Sequence, residues 1–155
     1  WVSTFPVFAN ALVKDALTEQ TLPFLKGYSE FSSEVKVGNS RFDFKLTFPQ
    51  NLAYIEVKSV SLVEKTVGKF PDAPTERGVK HVKELLELCE KGYRAAVVFI
   101  SQRSDTASIT CNDDIDPVFG EWLRNAHDKG VEIYGMNCKV TPTTISLNKV
   151  VKVVL

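Results

Sequence analysis

The sequence predicts a mixed α/β sheet with helices on both faces, and three observations carry that expectation. Two segments have helical periodicity with clean start and stop signals, Thr75 to Lys91 and Asp116 to Gly130. Three extended segments follow one another around Ser29 to Val60, separated by the turn residues Gly38-Asn39 and Pro49-Gln50-Asn51. Between the two helices lies Ala95-Ala96-Val97-Val98-Phe99-Ile100, wholly apolar, as in a central strand covered on both faces. With 155 residues, 44% hydrophobic and 25% charged, the chain is expected to form a single domain over residues 1–155.

In chain order, Phe5 to Leu17 spaces Ala9, Leu12, Val13, Ala16 and Leu17 as one face of an amphipathic helix, with Thr4 as a candidate cap and Pro6 tolerable in the first turn. Strands are expected at Ser29 to Val37, Arg41 to Phe48 and Leu52 to Val60, forming an antiparallel meander. Thr75 caps the next helix, Val79, Val82, Leu85, Leu86 and Cys89 make its buried stripe, and Gly92 stops it. Arg94 to Ser101 joins the sheet in parallel. Asp116-Pro117 opens the last helix, which presents Phe119, Trp122, Leu123 and Ala126. Val131 to Val140 and Thr144 to Leu155 complete the sheet.

Several function classes are disfavoured. The longest apolar run is too short to span a bilayer and the N-terminus lacks the sections of a signal peptide, so a cytoplasmic protein with no membrane partner is expected. Cys89, Cys111 and Cys138 are odd in number, widely spaced and without a CxxC pair, which points to reduced thiols rather than zinc or redox chemistry. Basic and acidic residues balance at 19 each, so nucleic-acid binding has to be local. Lys58 to Lys83 supplies a local surplus, with six basic residues against three acidic ones. A solvated face gives the same pattern.

Alternation places Phe42 and Phe44 on one face of the second strand and Arg41, Asp43 and Lys45 on the other. In the third strand Ile55 and Val57 share one face, Glu56 and Lys58 the opposite one. Pairing through the turn at Pro49 to Asn51 brings Asp43 and Glu56 near facing positions, so two carboxylates meet beside one lysine. Such anions repel one another, and Mg²⁺ or Mn²⁺ relieves the conflict, because a hard cation takes one or two carboxylates and completes its shell with water and phosphate. Asp43 and Glu56 are the candidate metal ligands, with the backbone carbonyl of Val57 as a further one; Lys58 stands where a group is needed to orient water or contact a phosphate oxygen. A solvated Glu-Lys pair on one strand face is the competing reading.

The stretches Ser40-Arg41-Phe42-Asp43-Phe44, Ile55-Glu56-Val57-Lys58-Ser59-Val60 and Phe70-Pro71-Asp72-Ala73-Pro74-Thr75-Glu76-Arg77-Gly78-Val79-Lys80-His81 closely resemble the sugar fermentation stimulation protein family. Asn10-Ala11-Leu12-Val13, Gly38, Gln102-Arg103 and Asp116-Pro117 extend that resemblance over nearly the whole chain. It implies a restriction-endonuclease-like domain of the PD-(D/E)xK superfamily, with an α-β-β-β-α-β core, in a DNA-binding protein linked to sugar-utilisation genes. The family's OB-like N-terminal half is expected to be absent from this chain.

Arg41, Arg77 and Lys80 are the candidate nucleic-acid contacts, the latter two near a helix N-terminus, which attracts phosphate. Four further residues are weaker candidates: Glu34 as an added carboxylate, Asp72 in the Pro-rich loop, His81 on the helix, and Gln102 at the end of the apolar strand. The functional alternatives are a metal-dependent DNA nuclease, a DNA-binding or regulatory module without turnover, and a protein that contacts other proteins.

Overall fold

The computed structural model describes residues 1–3 and 5–155. Helix α1 (Val7–Glu19) buries Ala9, Val13, Ala16 and Leu17. Pro6 stands at its N-cap without a side-chain hydrogen bond, and the expected cap at Thr4 lies outside the described residues. Strands β1 (Glu30–Val37), β2 (Ser40–Thr47) and β3 (Leu52–Val60) form the expected meander, in register at Val37↔Ser40 and Thr47↔Leu52. Gly38 makes the first turn at φ +58°, a left-handed conformation that glycine adopts without strain.

Next come a hairpin of β4 (Leu62–Glu64) and β5 (Val67–Phe70), helix α2 (Glu76–Glu90) and strand β6 (Arg94–Ser101). Strand β7 (Ser108–Cys111), helix α3 (Pro117–Asp128), β8 (Glu132–Val140) and β9 (Ile145–Val154) complete the chain. The nine strands make one sheet in the order β1-β2-β3-β6-β8-β9-β7-β5-β4. β6 is central and parallel to both neighbours, β3 and β8, which explains its unbroken apolar run. The sheet exceeds the expected core because β9 pairs antiparallel with β8 and then, through Lys152 to Val154, parallel with β7.

The two faces are buried separately. Under α1 lie Phe44, Ile55, Val57, Ala96, Val98 and Ile100. Under α2 and α3 lie Tyr54, Val60, Ala95, Val97 and Phe99. One pattern-based expectation needs correction: Phe42 packs with the α2–α3 core while Phe44 packs with the α1 core, so the two do not share a face. Burial still alternates along β2, with Ser40, Phe42, Phe44 and Leu46 buried, and the change of core falls between Phe42 and Phe44.

Asp116 fixes both helix starts over the α2–α3 core. Its Oδ1 accepts from the Phe119 N–H at 3.0 Å, capping α3, and its Oδ2 accepts from the Thr75 N–H at 2.9 Å. Thr75 in turn caps α2 by accepting from the Gly78 N–H at 2.9 Å. A Cβ at Gly78 would stand 2.8 Å from Thr75 Cγ2 and 3.3 Å from Phe119, so this glycine lets the cap and Phe119 close on the helix.

Candidate functional site

The site forms where β2 leaves β3. Their pairing runs from Thr47↔Leu52 to Phe44↔Ile55, and Asp43 and Glu56 are the next residues on either strand. There the Asp43 side chain takes the place of the backbone: Oδ2 accepts from the Val57 N–H at 2.8 Å. The carboxylate thereby satisfies a β3 amide and ends the ladder at one stroke. Oδ1 accepts from Asn10 Nδ2 of α1 at 2.9 Å. On the other side of β2, Glu34 has φ +53° and falls between the pairs Ser33↔Phe44 and Val35↔Phe42.

Glu56 and Lys58 share the β3 face that meets α2, as alternation predicts. Glu56 is 5% exposed. Its Oε1 lies 3.1 Å from His81 Nδ1 and 3.4 Å from Lys58 Nζ, and those two nitrogens are 3.3 Å apart. Oε2 of the same carboxylate is buried and has no hydrogen-bond partner. Glu84 Oε2 is likewise buried without a partner; what sets Glu56 apart is the neighbouring Asp43 carboxylate.

The two acids are driven apart electrostatically. Burial, and next the charge of Glu56, push the Asp43 carboxyl above its ordinary value, against the opposing pull of the Val57 and Asn10 hydrogen bonds and of Lys58. Burial also raises Glu56, but the His81 hydrogen bond together with the Lys58 and His81 charges outweighs it and holds Glu56 below its ordinary value. The folded chain therefore binds a proton at Asp43 more tightly than the unfolded chain does. Stability from this group is present below its ordinary value of 3.8 and is lost as pH rises through the folded value. Asp43→Asn mimics the protonated acid and keeps an acceptor for Val57. It is expected to melt about 2–5 °C higher than the wild type at pH 7, with the gap closing near pH 3; a lower melting temperature at pH 7 refutes the reading.

Among the described residues, no three His, Cys, Asp or Glu side chains are grouped to hold a metal ion. The oxygen chemistry of Asp43 and Glu56 fits a hard ion such as Mg²⁺ or Mn²⁺, which completes its shell with water, better than a soft, fully protein-caged ion.

The remaining candidates have separate placements. Arg41, Arg77 and Lys80 are exposed, and Lys80 Nζ donates to the Asn39 carbonyl at 3.2 Å, tying α2 to the β1–β2 turn two residues from Arg41. Glu34 is exposed. Asp72 accepts from Ser61 Oγ at 3.0 Å in an exposed loop. Gln102 is buried, and its Nε2 donates to the Phe5 carbonyl at 2.8 Å and to Ser59 Oγ at 3.3 Å, fastening the lead into α1 to β3. Asn10 did not emerge as a site residue from sequence reasoning. Its signal is faint, a carboxamide in a first helical turn beside the buried Ala9.

The fold is a restriction-endonuclease-like domain with a mixed α/β sheet. Residues 7–144 match the family model described as "Sugar fermentation stimulation protein RE domain", and the chain belongs to the sugar fermentation stimulation protein family. A sugar fermentation stimulation protein homolog of Caldanaerobacter subterraneus subsp. tengcongensis is 48% identical over 149 residues, 96% of this chain and 63% of that protein. The homolog of Desulforamulus reducens is 44% identical over 154 residues, 99% of this chain and 64% of the relative. The solved structure of Pyrococcus furiosus SfsA in complex with Ca²⁺ superposes with a TM-score of 0.90 at 28% identity, covering 96% of this chain and 65% of that one. The chain spans just under two thirds of the length of these relatives. Among the described residues, no helix is long and apolar enough to cross a membrane.

Proposed function

We propose that this domain binds DNA and hydrolyses phosphodiester bonds at a divalent-cation site formed by Asp43 and Glu56, with the Val57 carbonyl as a further ligand and Lys58 beside it. The observation that carries the reading is the buried, unpartnered Oε2 of Glu56 next to Asp43, while Oε1 is occupied by Lys58 and His81. The Ca²⁺ in the related Pyrococcus furiosus SfsA structure supports a hard divalent ion here as well, and Mg²⁺ or Mn²⁺ suits the chemistry. When bound, the cation supplies acidity to water and charge to offset the phosphate.

The chain's own groups do the rest. Asp43, fixed between the Val57 amide and Asn10, presents its free lone pairs without side-chain search. Lys58 Nζ, a donor with no acceptor capacity, orients the attacking water or holds a phosphate oxygen. Arg41, Arg77 and Lys80 give the exposed cations that position a phosphate backbone, which a chain of zero net charge needs locally.

The test incubates wild type, Glu56→Ala and Lys58→Ala with single- and double-stranded DNA in Mg²⁺ or Mn²⁺. Cation-dependent cleavage by the wild type alone is expected. Intact DNA with retained binding by all three would leave a DNA-binding or regulatory module without turnover, and loss of both cation uptake and DNA binding would refute the proposal.

A further inference from the structure

We infer that His81 is a positioning residue whose Nδ1 holds Glu56 Oε1, so that Oε2 is the oxygen left for a divalent cation; this rests on the metal-binding reading above. A glutamate has three rotatable torsions, and an unrestrained one samples several orientations at an entropic cost to any ligand that needs one of them. Among the described residues, the polar contact that restrains Glu56 from outside its own strand comes from His81. His81 projects from the second turn of α2, is 4% exposed, and packs its ring 6.2 Å from that of Phe42. Its backbone is set by the Thr75 cap and by the Asp116 carboxylate that grips Thr75. Lys58, by contrast, reaches Glu56 at 3.4 Å on a flexible stem.

The proton inventory assigns the contact. Lys58 Nζ only donates and a carboxylate only accepts, so Nδ1 can serve one of them at a time. With the proton on Nδ1, the ring donates to Glu56 Oε1, its nearer partner at 3.1 Å against 3.3 Å to Lys58 Nζ. Oε2 of Glu56 is buried without a partner, as is Oε2 of Glu84, but the former lies beside a second, half-buried carboxylate, Asp43. A ligand-orienting histidine spends one oxygen to aim the other, and removing such an orienting partner typically lowers metal affinity by about 10–100-fold.

The amide side chains separate positioning from packing. Asn can place an N–H close to the position of Nδ1, whereas Gln places it near Nε2. The experiment titrates the full chain with Ca²⁺ and Mn²⁺ by calorimetry for wild type, His81→Asn, His81→Gln and His81→Ala, with a thermal melt of each. Expected is a loss of cation affinity of at least about tenfold in His81→Ala and His81→Gln, with His81→Asn recovering most of it. Uptake by the wild type that is unchanged in His81→Ala and His81→Gln overturns the assignment alone. Equal loss in all three variants, tracking their melting temperatures, also overturns it, in favour of a packing role. No uptake by the wild type overturns the metal reading itself and takes the assignment with it.

Discussion

On the proposed nuclease function, a Lys58→Met chain is expected to bind divalent cation more tightly than the wild type and yet to lose DNA cleavage by about two to four orders of magnitude. The two effects have one cause. Lys58 Nζ stands 3.4 Å from Glu56 Oε1, so its charge lies beside the carboxylate that a cation would share. Removing it abolishes a repulsion on the incoming ion and leaves Glu56 held by His81 alone, at 3.1 Å. Methionine replaces the apolar stem of lysine out to Cε and omits only the ammonium, which limits the packing loss at a side chain that is 13% exposed. Cleavage falls because no donor remains to orient water or offset phosphate charge. Calorimetry with Ca²⁺ reads the first effect and nicking of supercoiled plasmid with Mg²⁺ or Mn²⁺ reads the second. Affinity and activity falling together would mean that Lys58 supports the site mechanically, and undiminished cleavage would remove it from the chemistry.

Much of this arrangement was legible in the sequence, for reasons that also explain what was not. Period-two alternation puts Glu56 and Lys58 on one face of β3 irrespective of their surroundings, and the α2 face they meet was marked by its own helical stripe. Because a short hairpin fixes register, counting outward from the turn near Gln50 places Asp43 and Glu56 near facing positions, and the observed ladder ends at Phe44↔Ile55, one pair short of them. Period-two alternation failed at Phe42, which packs in a different core from Phe44. Once Asp43 accepts the Val57 amide with its side chain, β2 leaves the ladder, and its hydrophobic residues serve different cores on either side. Competition between a short polar side chain and the backbone leaves no trace in a hydrophobic pattern.

Strands β4, β5 and β7 were missed because three or four residues cannot establish a period. They exist by tertiary pairing: β7 is assembled between β5 and the end of β9, partners 41 positions before it and 44 after it by the register of Val67↔Ser108 and Ser108↔Lys152. His81 illustrates the same limit at the site. On the sequence it is one histidine on a helix, and what gives it meaning is the docking of α2 over β3.

Phe119→Ala should destabilise the fold by about 3–5 kcal/mol, a large share of the roughly 5–15 kcal/mol available to a typical domain. The ring is 0% exposed, meets Phe70 edge-on at 5.1 Å, and lies against Gly78 at the start of α2. Truncation therefore opens a void between α2, α3 and the sheet, in a region where Asp116 and Thr75 depend on the same packing for their caps. The consequence extends to the site. Helix α2 carries His81, and a helix loosened at its start no longer seats His81 against Glu56, so cation affinity should fall even at a temperature where the variant remains folded. Leu25→Ala provides the contrast, because Leu25 is equally buried but belongs to the core under α1. Its cost should be about 2–5 kcal/mol, with cation affinity close to that of the wild type. Urea denaturation gives the two stabilities, and Ca²⁺ titration at 20 °C gives the affinities. Equal losses of affinity in both variants would show that binding follows global stability, whereas a loss confined to Phe119→Ala ties the site to the seating of α2.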